Sequence, residues 1–313
     1  MRTAILGGGG AMGGLVGGYL AKAGNDVTLI DVSEAAISRI NAEGLAIEEK
    51  DGSVLVVPVT ATNDPSSVGP VDLIVNFVKC YHTDAAVRSA QPMIGPETVV
   101  LSLQNGWGNA ARISSIVGED RVLVGLTYHG GMLIEPGRVK HPGTGMTYIG
   151  ELTGKRTARL ERIAETLRGA GMETTLSERI LDEVWKKLAL NACTLPTSSL
   201  LRFLSHELVA HEPAKALMAE ILKEVVAVAN AQGIGLDYQE RWAAITGLLE
   251  KAVGGKSSMY QDAEAGRRTE IEVINGAIVE AGSKSGVPTP VNTAMMLMVQ
   301  AAEAKYLGAA AGK

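Results

Sequence analysis

A glycine-rich segment lies close to the N-terminus, where Gly8, Gly10 and Gly13 are separated by one and then two residues. A short apolar run, residues 3–6, precedes it, and a helical pattern follows. In this spacing the first glycine permits a tight turn, the second lets the backbone approach a pyrophosphate, and the third lets the helix pack on the strand. The adjacent Gly7 leaves the register open by one residue. The predicted dinucleotide site comprises Gly8, Gly9, Gly10, Ala11, Met12 and Gly13.

An acidic residue, Asp31, ends the second apolar run, 18 residues after Gly13. A carboxylate at this point can accept hydrogen bonds from ribose hydroxyls, and it repels a 2′-phosphate. The next basic residue is Arg39, on a predicted helix. We therefore predict NAD(H) in preference to NADP(H). The alternative is that Asp31 only caps the following helix.

A lysine and an asparagine, Lys187 and Asn191, lie four residues apart in a helical pattern, which places them on one helix face. Trp185 and Leu188 indicate partial burial, which would lower the pKa of a lysine and make it a better acid. Addition of a hydride to a ketone builds negative charge on oxygen, and such a group can meet that charge. The alternative is an ordinary surface lysine with a partly covered stem.

Three more polar residues are candidates for a site. Lys79 and Asn105 each follow a continuous apolar run, and ligands of open α/β sheets bind beyond the carboxyl ends of such strands. Asn105 also fits an ordinary turn, because it lies within Gln104-Asn105-Gly106. Glu270 begins a helical pattern, where the helix dipole alone would favour a carboxylate.

The elements that must position these residues change in character along the chain. Up to about residue 177, helical patterns alternate with buried-type runs such as residues 71–78, 98–103 and 122–126, and residues 45–49 and 54–59 indicate a hairpin. This predicts an α/β fold with a doubly wound parallel sheet. Beyond it, helical patterns dominate at residues 178–193, 213–232, 238–253, 271–283 and 289–307. We predict a dinucleotide-binding domain at 1–177 and an all-α substrate and catalytic domain at 178–313.

Composition and charge exclude several classes of partner. The 313 residues carry a net charge of −5, which disfavours nucleic acid, and the apolar stretch 294–299 is far shorter than the ~20 residues of a membrane span. No secretion signal is evident. Cys80 and Cys193 lack metal or redox spacing, so we expect no metal site and a reducing cytoplasm.

Several motifs occur in order and at characteristic spacing. They are Gln104-Asn105-Gly106; Glu135-Pro136-Gly137-Arg138-Val139 with His141 and Gly143; Trp185-Lys186-Lys187-Leu188 with Asn191; and Ser257-Ser258-Met259 through Gln261-Asp262 to Thr269-Glu270. With the glycine segment, they make the chain resemble the ketopantoate reductase (2-dehydropantoate 2-reductase) family over nearly its whole length. The resemblance implies a Rossmann-type domain, a helical domain like that of 6-phosphogluconate dehydrogenase, and NAD(P)H-dependent reduction of a 2-keto acid to the D-2-hydroxy acid.

The resemblance also implies roles for individual residues. Lys187 would be the general acid, while Glu270 would hydrogen-bond the substrate and help set the protonation state of Lys187. Ser258 would bind the substrate carboxylate, and Asn191 would contact the substrate oxygens. Asn105 would lie beside the nicotinamide and the substrate. The residues outside the glycine segment and Asp31 that we also expect at the cofactor are Lys79, Asn105 and Glu270.

The sequence departs from the family pattern at three points. Asp31-Val32-Ser33 stands where the family often has an arginine for the 2′-phosphate of NADPH. Leu195 stands where the family has an asparagine that holds the hydroxyl end of pantoate, so another branched or aromatic 2-keto acid competes with ketopantoate as the substrate. Tyr128-His129 replaces a small polar pair, and His129 fits either a core or loop histidine or a pocket residue.

Other functions and an assembly state remain as alternatives. A 3-hydroxy acid dehydrogenase shares the two-domain plan, but its glycine-rich substrate segment is not evident. A non-catalytic NAD(H)-binding sensor would not need Lys187, Ser258 and Glu270 together. We expect a small anionic 2-keto acid as the partner, with neither nucleic acid nor membrane. The apolar helical stretch 294–302 fits either the core or a homodimer interface.

Overall fold

The computed structural model describes residues 1–311, and the side chains up to 308; residues 312 and 313 of the predicted helical domain lie outside the described residues. The chain divides into two compact units. Unit 1 comprises Met1–Gln104 and Asn109–Ile180, and unit 2 comprises Asn105–Gly108 and Leu181–Lys313.

Unit 1 contains all the strands found in the described residues. They are β1 Arg2–Leu6, β2 Asp26–Ile30, β3 Leu45–Glu48, β4 Val54–Val57, β5 Thr60–Thr62, β6 Val71–Asn76, β7 Ile94–Ser102, β8 Val122–Thr127, β9 Met132–Glu135, β10 Arg138–Lys140, β11 Thr147–Glu151 and β12 Thr174–Leu176. Five helices accompany them: α1 Ala11–Lys22, α2 Glu34–Glu43, α3 Thr83–Ser89, α4 Asn109–Val117 and α5 Ala158–Gly169.

The main sheet of unit 1 has the order β12-β11-β8-β7-β6-β1-β2-β5. Neighbouring strands pair in parallel along the series β5, β2, β1, β6, β7 and β8, and β11 runs antiparallel to β8. The chain leaves β1 in one direction to reach β2 and β5, and in the other to reach β6 to β8, so the strand order reverses between β1 and β6. Ligands of open α/β sheets bind at such a switch point. The predicted α/β class is confirmed.

A second, four-stranded sheet of order β4-β3-β10-β9 packs against α1. Its inner side chains Leu45, Ile47 and Val139 approach Gly14 and Gly18 of α1 so closely that a β-carbon at either glycine would press on them. The predicted hairpin is confirmed as β3 and β4. The sheet that it forms with β10 was not predicted, because β10 spans three residues and two of them are cationic.

Unit 2 is helical. Its helices are α6 Ile180–Leu201, which begins at the last residue of unit 1, α7 Glu207–Ala210, α8 Glu212–Ala231, α9 Tyr238–Lys251, α10 Ser258–Glu264, α11 Asn275–Ser285 and α12 Pro290–Ala311. The predicted helix 271–283 is divided into a 3₁₀ turn, Ile271–Val273, and α11.

Helix α6 continues eight residues past the predicted end at Cys193, through Pro196. Proline has no N–H, so the carbonyl of Ala192, four residues earlier, loses its helical partner. The side-chain amide of Asn275 donates to that carbonyl at 3.2 Å, and it also donates to Asn292 Oδ1 at 3.0 Å. A buried polar side chain from α11 thus compensates for the proline within α6.

Candidate active site

The glycine segment forms the turn between β1 and α1, beside the switch point of the sheet. The amides of Gly7 and Gly8 donate to the carbonyl of Ile30 at 2.9 and 3.0 Å, and Gly10 caps α1. A β-carbon at Gly8 would overlap the Leu29 side chain, and one at Gly13 would overlap the Gly7 carbonyl. The amide of Gly10 donates to the Gly7 carbonyl at 3.0 Å, so the glycine amides before α1 serve the turn itself. The first amides of α1, from Ala11 to Gly13, precede the first helical hydrogen bond and are the groups that can meet an anion.

Gly7 has a role that the sequence prediction left unassigned. Its φ is +80°, and its α-carbon lies against the backbone of Phe77 and Val78 after β6. A side chain would be strained at this φ and would press on that backbone. The run of four glycines was the available signal. Gly7 lets the chain pass close to the backbone that follows β6, and the assignment of Gly8, Gly10 and Gly13 to the dinucleotide site stays a prediction.

The Asp31 carboxylate is bound to the glycine turn. Its Oδ2 accepts from the amide of Gly9 at 2.8 Å and its Oδ1 accepts from the amide of Ser33 at 3.0 Å. The residue that caps α2 is Ser33, whose hydroxyl accepts from Ala36, so the helix-capping alternative for Asp31 is wrong. Each carboxylate oxygen can accept further bonds.

The nearest basic residue along the chain, Arg39, is engaged elsewhere. Its guanidinium lies 3.1 Å from Glu43, 3.0 Å from Glu135 and 3.3 Å from the Pro136 carbonyl. Both carboxylates raise its pKa further, so it stays charged within this cluster. Arg39 is therefore already neutralised by two carboxylates.

Lys79 lies on the carboxyl side of β6, next to β1 in the sheet. The backbone around it is held by a buried amide network that the sequence analysis did not identify. Asn76 Nδ2 donates to Gln104 Oε1 at 2.9 Å, and Gln104 Nε2 donates to the Val78 carbonyl at 2.7 Å and to Thr83 Oγ1 at 2.8 Å. The available signal was the polar Asn76 within the largely apolar run of residues 71–78.

In unit 2, one face of α6 carries Lys187, Asn191 and Leu195 at intervals of four residues, so the three side chains follow one another along the helix. Asn191 and Leu195 are buried. An ammonium, an amide and an apolar side chain therefore succeed one another at one turn's spacing.

Desolvation makes Lys187 a stronger acid than an ordinary lysine. Part of its surface stays accessible, but its ammonium lies among enough protein atoms that burial lowers its pKa from 10.5 to about 8. The charge of Glu270 acts in the opposite direction and raises the pKa of Lys187. At neutral pH such a lysine is still protonated, and it gives up its proton far more readily than a solvated one.

Glu270 is buried, and it immediately precedes the 3₁₀ turn Ile271–Val273. Its carbonyl accepts from the amide of Val273 at 3.2 Å, and the Thr269 hydroxyl accepts from the amide of Ile271 at 3.3 Å. These local bonds fix the backbone on both sides of Glu270. The interpretation of Glu270 as the first residue of a long helix is wrong, because α11 begins only at Asn275.

The loop that carries Asn105 belongs to unit 2, although it follows a strand of unit 1. The amide of Trp107 donates to the Val273 carbonyl at 2.8 Å, and the Trp107 ring lies 5.4 Å from that of Trp185. Gly106 has a φ of +87° and lies so close to Val273 that a side chain would collide with it. The turn that follows Glu270 therefore also anchors the loop of Asn105.

Ser258 is the first residue of α10, and α10 is tied to the C-terminal half of α6. The hydroxyls of Ser198 and Ser257 are 2.5 Å apart, and the Ser199 hydroxyl donates to the Met259 carbonyl at 3.4 Å. These bonds hold the start of α10 on the helix that carries Lys187 and Asn191.

The predicted residues thus form two sets. The glycine segment, Asp31 and Lys79 lie in unit 1, and Asn105, Lys187, Asn191, Ser258 and Glu270 lie in unit 2. The first set offers a turn for an anion and a carboxylate for hydroxyl groups. The second offers a proton donor with a lowered pKa, a carboxylate and neutral polar groups, which is suited to a carbonyl that becomes an alcohol.

His129 is buried in unit 1, which favours the core or loop interpretation. Its Nδ1 lies 3.2 Å from His141 Nε2, and His141 Nδ1 lies 2.6 Å from Tyr19 Oη and 3.2 Å from Glu49 Oε2. Burial and the neighbouring His141 lower the pKa of His129, which favours the neutral ring.

Among residues 1–311, no group of three or more His, Cys, Asp or Glu side chains is arranged to hold a metal ion. No helix in this described part of the chain is both long and apolar enough to cross a membrane.

The chain matches two family models in succession. Residues 4–154 match the model described as ketopantoate reductase PanE/ApbA, and residues 179–303 match the model of the C-terminal part of the same family. It is 34% identical over 305 residues to the 2-dehydropantoate 2-reductase of Halobacterium salinarum, covering 97% of this chain and 99% of that protein.

Two solved structures are similar over nearly their full length. A PanE/ApbA family ketopantoate reductase from Ralstonia eutropha has a TM-score of 0.89 and 32% identity, covering 98% of this chain and 99% of that one. A D-mandelate dehydrogenase in a ternary structure with NADH and anilino(oxo)acetate has a TM-score of 0.92 and 30% identity, with 97% and 99% covered.

Proposed function

The chain belongs to the ketopantoate reductase family, oxidoreductases that reduce a keto group with a nicotinamide cofactor, and we propose that Lys187 supplies the proton for this reduction. The proposal is carried by the position of Lys187 on α6 between the buried side chains Trp185 and Leu188, where burial lowers its pKa to about 8 while the charge of Glu270 raises it. The substrate is a small 2-keto acid, and the product is the D-2-hydroxy acid.

The residues of unit 1 fit a nicotinamide dinucleotide, because Gly8 and Gly13 pack so closely on Leu29 and Gly7 that only glycine allows this tight entry from β1 into α1. The first amides of α1 would hold the pyrophosphate, and Lys79 would add positive charge. When bound, the reduced nicotinamide supplies the hydride that adds to the keto carbon.

The remaining chemistry belongs to the side chains of unit 2. As the keto carbon gains its C–H bond, the carbonyl π electrons move to oxygen, and the Lys187 ammonium gives that oxygen a proton and becomes a neutral amine. The keto acid thereby gains two electrons, one C–H bond and one O–H bond. Lys187 therefore acts both as an electrostatic partner for the developing oxyanion and as its acid.

Neutral polar groups would orient the substrate around Lys187. Ser258 would bind the carboxylate, and Asn191, one helical turn from Lys187, would bind oxygens on the same face of α6. Asn105 would lie beside the nicotinamide and the substrate, on the loop that Val273 anchors. Glu270 would accept a substrate hydrogen bond and hold Lys187 in its charged form until the proton is transferred.

We propose NADH as the preferred donor. Asp31 provides a carboxylate where the adenosine ribose would lie, and Arg39, the first basic residue after it, is paired with Glu43 and Glu135. A carboxylate accepts bonds from two ribose hydroxyls, whereas a 2′-phosphate would face its negative charge. NADPH is the alternative donor.

We propose 2-dehydropantoate as the first candidate substrate, supported by the names of the relatives. A second candidate, a 2-keto acid with a branched or aromatic apolar group, is favoured by Leu195. This buried side chain follows Asn191 on the same face of α6, so a substrate held at Lys187 and Asn191 would meet methyl groups there. The likeness to a D-mandelate dehydrogenase supports the same candidate.

A steady-state panel tests both proposals. The purified protein is assayed with NADH and NADPH, each against 2-dehydropantoate, 2-ketoisovalerate, phenylglyoxylate and a 3-keto acid. The proposals predict reduction of 2-keto acids with NADH, and activity confined to the 3-keto acid would contradict the reaction. Tight NADH binding without turnover of any keto acid would favour a sensor.

We further propose that the protein is a homodimer through α12. Met295 and Val299 point into the core, whereas Leu297 and Met298 are 55% and 47% exposed. Exposed apolar side chains grouped on one face of a long helix are typical of an interface, and a two-fold axis would pair this face with itself.

The buried thiols of Cys80 and Cys193 are compatible with the cytoplasm, which remains a prediction.

A further inference from the structure

A buried carboxylate on α12 reaches the backbone beside Glu270. Glu303 is only 8% exposed, and its Oε1 accepts from the amide of Thr269 at 2.5 Å. Burial of a carboxylate is unfavourable unless strong hydrogen bonds compensate for the lost water, and a short bond from a backbone amide is of that kind. Thr269 immediately precedes Glu270, so this bond fixes the position of the backbone that leads into Glu270.

Helix α12 also holds the segment further upstream. The Tyr306 hydroxyl donates to the Arg267 carbonyl at 3.1 Å. The Asp262 side chain lies 3.1 Å from Arg267 Nε, and the Asp262 carbonyl accepts from the amide of Arg267 at 2.8 Å. The segment from Arg267 to Thr269 is therefore fixed by α12 on one side and by α10 on the other.

The bonds of Glu303 and of the 3₁₀ turn complement each other. Glu303 holds the amide before Glu270, and Val273 holds the Glu270 carbonyl at 3.2 Å. Without Glu303, the amide of Thr269 would be buried without this acceptor, and the backbone would have to move to find another. Such a movement would displace the Glu270 side chain from Lys187.

We infer that Glu303 is a positioning residue for the reduction: it sets the backbone from which the Glu270 carboxylate approaches the substrate and Lys187. The inference rests on the proposed function of Glu270. It gives α12 more than a structural role, because the hydrogen bond of Glu303 is made to Thr269, the residue next to the proposed catalytic Glu270.

Three substitutions at one position test the inference. Glu303→Ala removes the acceptor, Glu303→Asp retracts it by one methylene, and Glu303→Gln keeps an acceptor oxygen without the charge. Misplacement of a reacting group by about 1 Å can cost roughly 100-fold in rate. We expect the Glu303→Ala and Glu303→Asp variants to lower kcat by about 10- to 100-fold with little change in KM. The kcat of the Glu303→Gln variant should stay within about threefold of the parent value.

The pH profile is a readout that a merely structural role would not move. The charge of Glu270 raises the pKa of Lys187, so displacement of Glu270 should lower that pKa and move the alkaline limb of kcat to lower pH. Ala and Asp at position 303 should show this shift, and Gln should not. Glu272→Gln is the matched control, because Glu272 is an exposed carboxylate in the same segment that pairs with Arg268.

A double variant decides the matter. If Glu303 acts through Glu270, Glu303→Ala/Glu270→Gln should be no slower than Glu270→Gln alone. The inference would be overturned if the two substitutions reduced kcat multiplicatively in the double variant. It would also be overturned by an unchanged kcat and pH profile in whichever of the Glu303→Ala and Glu303→Asp variants folds. If Glu270→Gln itself leaves kcat and the pH profile unchanged, the proposed function of Glu270 is wrong; if only the position-303 variants are silent, the inference alone fails.

Discussion

The Asp31 carboxylate accepts a hydrogen bond from the Gly9 amide at 2.8 Å, so the acid that follows β2 is bound to the glycine turn that follows β1. The carboxylate and the predicted pyrophosphate site therefore have a fixed separation. Because the acid is held by backbone amides rather than by a mobile side chain, its charge stays where the adenosine ribose would bind.

The first prediction concerns the choice of cofactor. Asp31→Asn removes the charge but keeps a polar side chain, so kcat/KM for NADH should fall about tenfold or more, as expected for lost hydrogen bonds to a charged group. The value for NADPH should fall less or rise, because a repulsive charge is gone. Steady-state kinetics with both cofactors measure the change.

Glu34→Gln is the control for that experiment, since it removes an exposed carboxylate from the first turn of α2 and leaves Asp31 intact. It should leave the ratio of the two cofactors unchanged. A parent protein that prefers NADPH at least tenfold would contradict our interpretation of Asp31.

The second prediction is the pH dependence of reduction. Lys187 must be protonated to act as the acid, and its pKa is about 8. With a saturating 2-keto acid, kcat should therefore be constant below that value and fall above it, with the limb near pH 8 rather than near 10.5. In Glu270→Gln the limb should move to lower pH, because the carboxylate that raises the pKa is lost. A limb that stays in place in this variant would show that Glu270 does not act on the titrating group.

The third prediction concerns stability. Because desolvation favours the neutral form of Lys187, its amine binds a proton more weakly in the folded chain than in the unfolded one. The free energy of unfolding should therefore rise with pH between about 8 and 10.5 through this group. Lys187→Met should lose that rise and should be at least as stable as the parent at neutral pH, although inactive. Denaturant titrations at several pH values measure this, and a large loss of stability in the variant would contradict it.

The fourth prediction concerns the substrate. Leu195→Asn introduces an amide one turn beyond Asn191, which could bond a substrate hydroxyl. We expect kcat/KM for 2-dehydropantoate to rise by about tenfold relative to that for phenylglyoxylate, the equivalent of one good hydrogen bond. Leu201→Asn, at the exposed end of α6, is the control. An unchanged ratio would remove Leu195 from the substrate site.

The fifth prediction concerns assembly. Leu297→Glu/Met298→Glu places like charges on the proposed interface and should convert a dimer to a monomer. Leu248→Glu, at a similarly exposed leucine on α9, should leave the mass unchanged. Sedimentation velocity distinguishes the species, and a parent protein that is already monomeric would refute the proposal.

The features that sequence reasoning identified are those with local causes. The glycine turn is one, because a strand, a turn and a helix occupy a few consecutive residues, and Asp31 follows at a fixed distance. The helical face shared by Lys187 and Asn191 is another. Glu270 and Ser258 could be singled out only through the family resemblance, since a serine or a glutamate at a helix start is ordinary.

Features that depend on distant partners were not predictable from one sequence. The continuation of α6 through Pro196 depends on Asn275, 83 residues after the carbonyl that it satisfies. The bond between Glu303 and Thr269 joins residues 34 apart, and nothing near Glu303 signals it. The loop of Asn105 packs on Val273, so its membership in unit 2 emerges only from the folded structure.

The role of Lys187 as the acid is tested by the rate of hydride transfer in Lys187→Ala, measured in a single turnover with NADH and the best 2-keto acid of the panel. We predict that NADH still binds with the parental affinity, because Lys187 lies outside the glycine turn, while the rate of its oxidation falls by about 10²- to 10⁴-fold. Oxidation of NADH at the parental rate would show that Lys187 is not the acid, because the oxyanion would then receive its proton from another group.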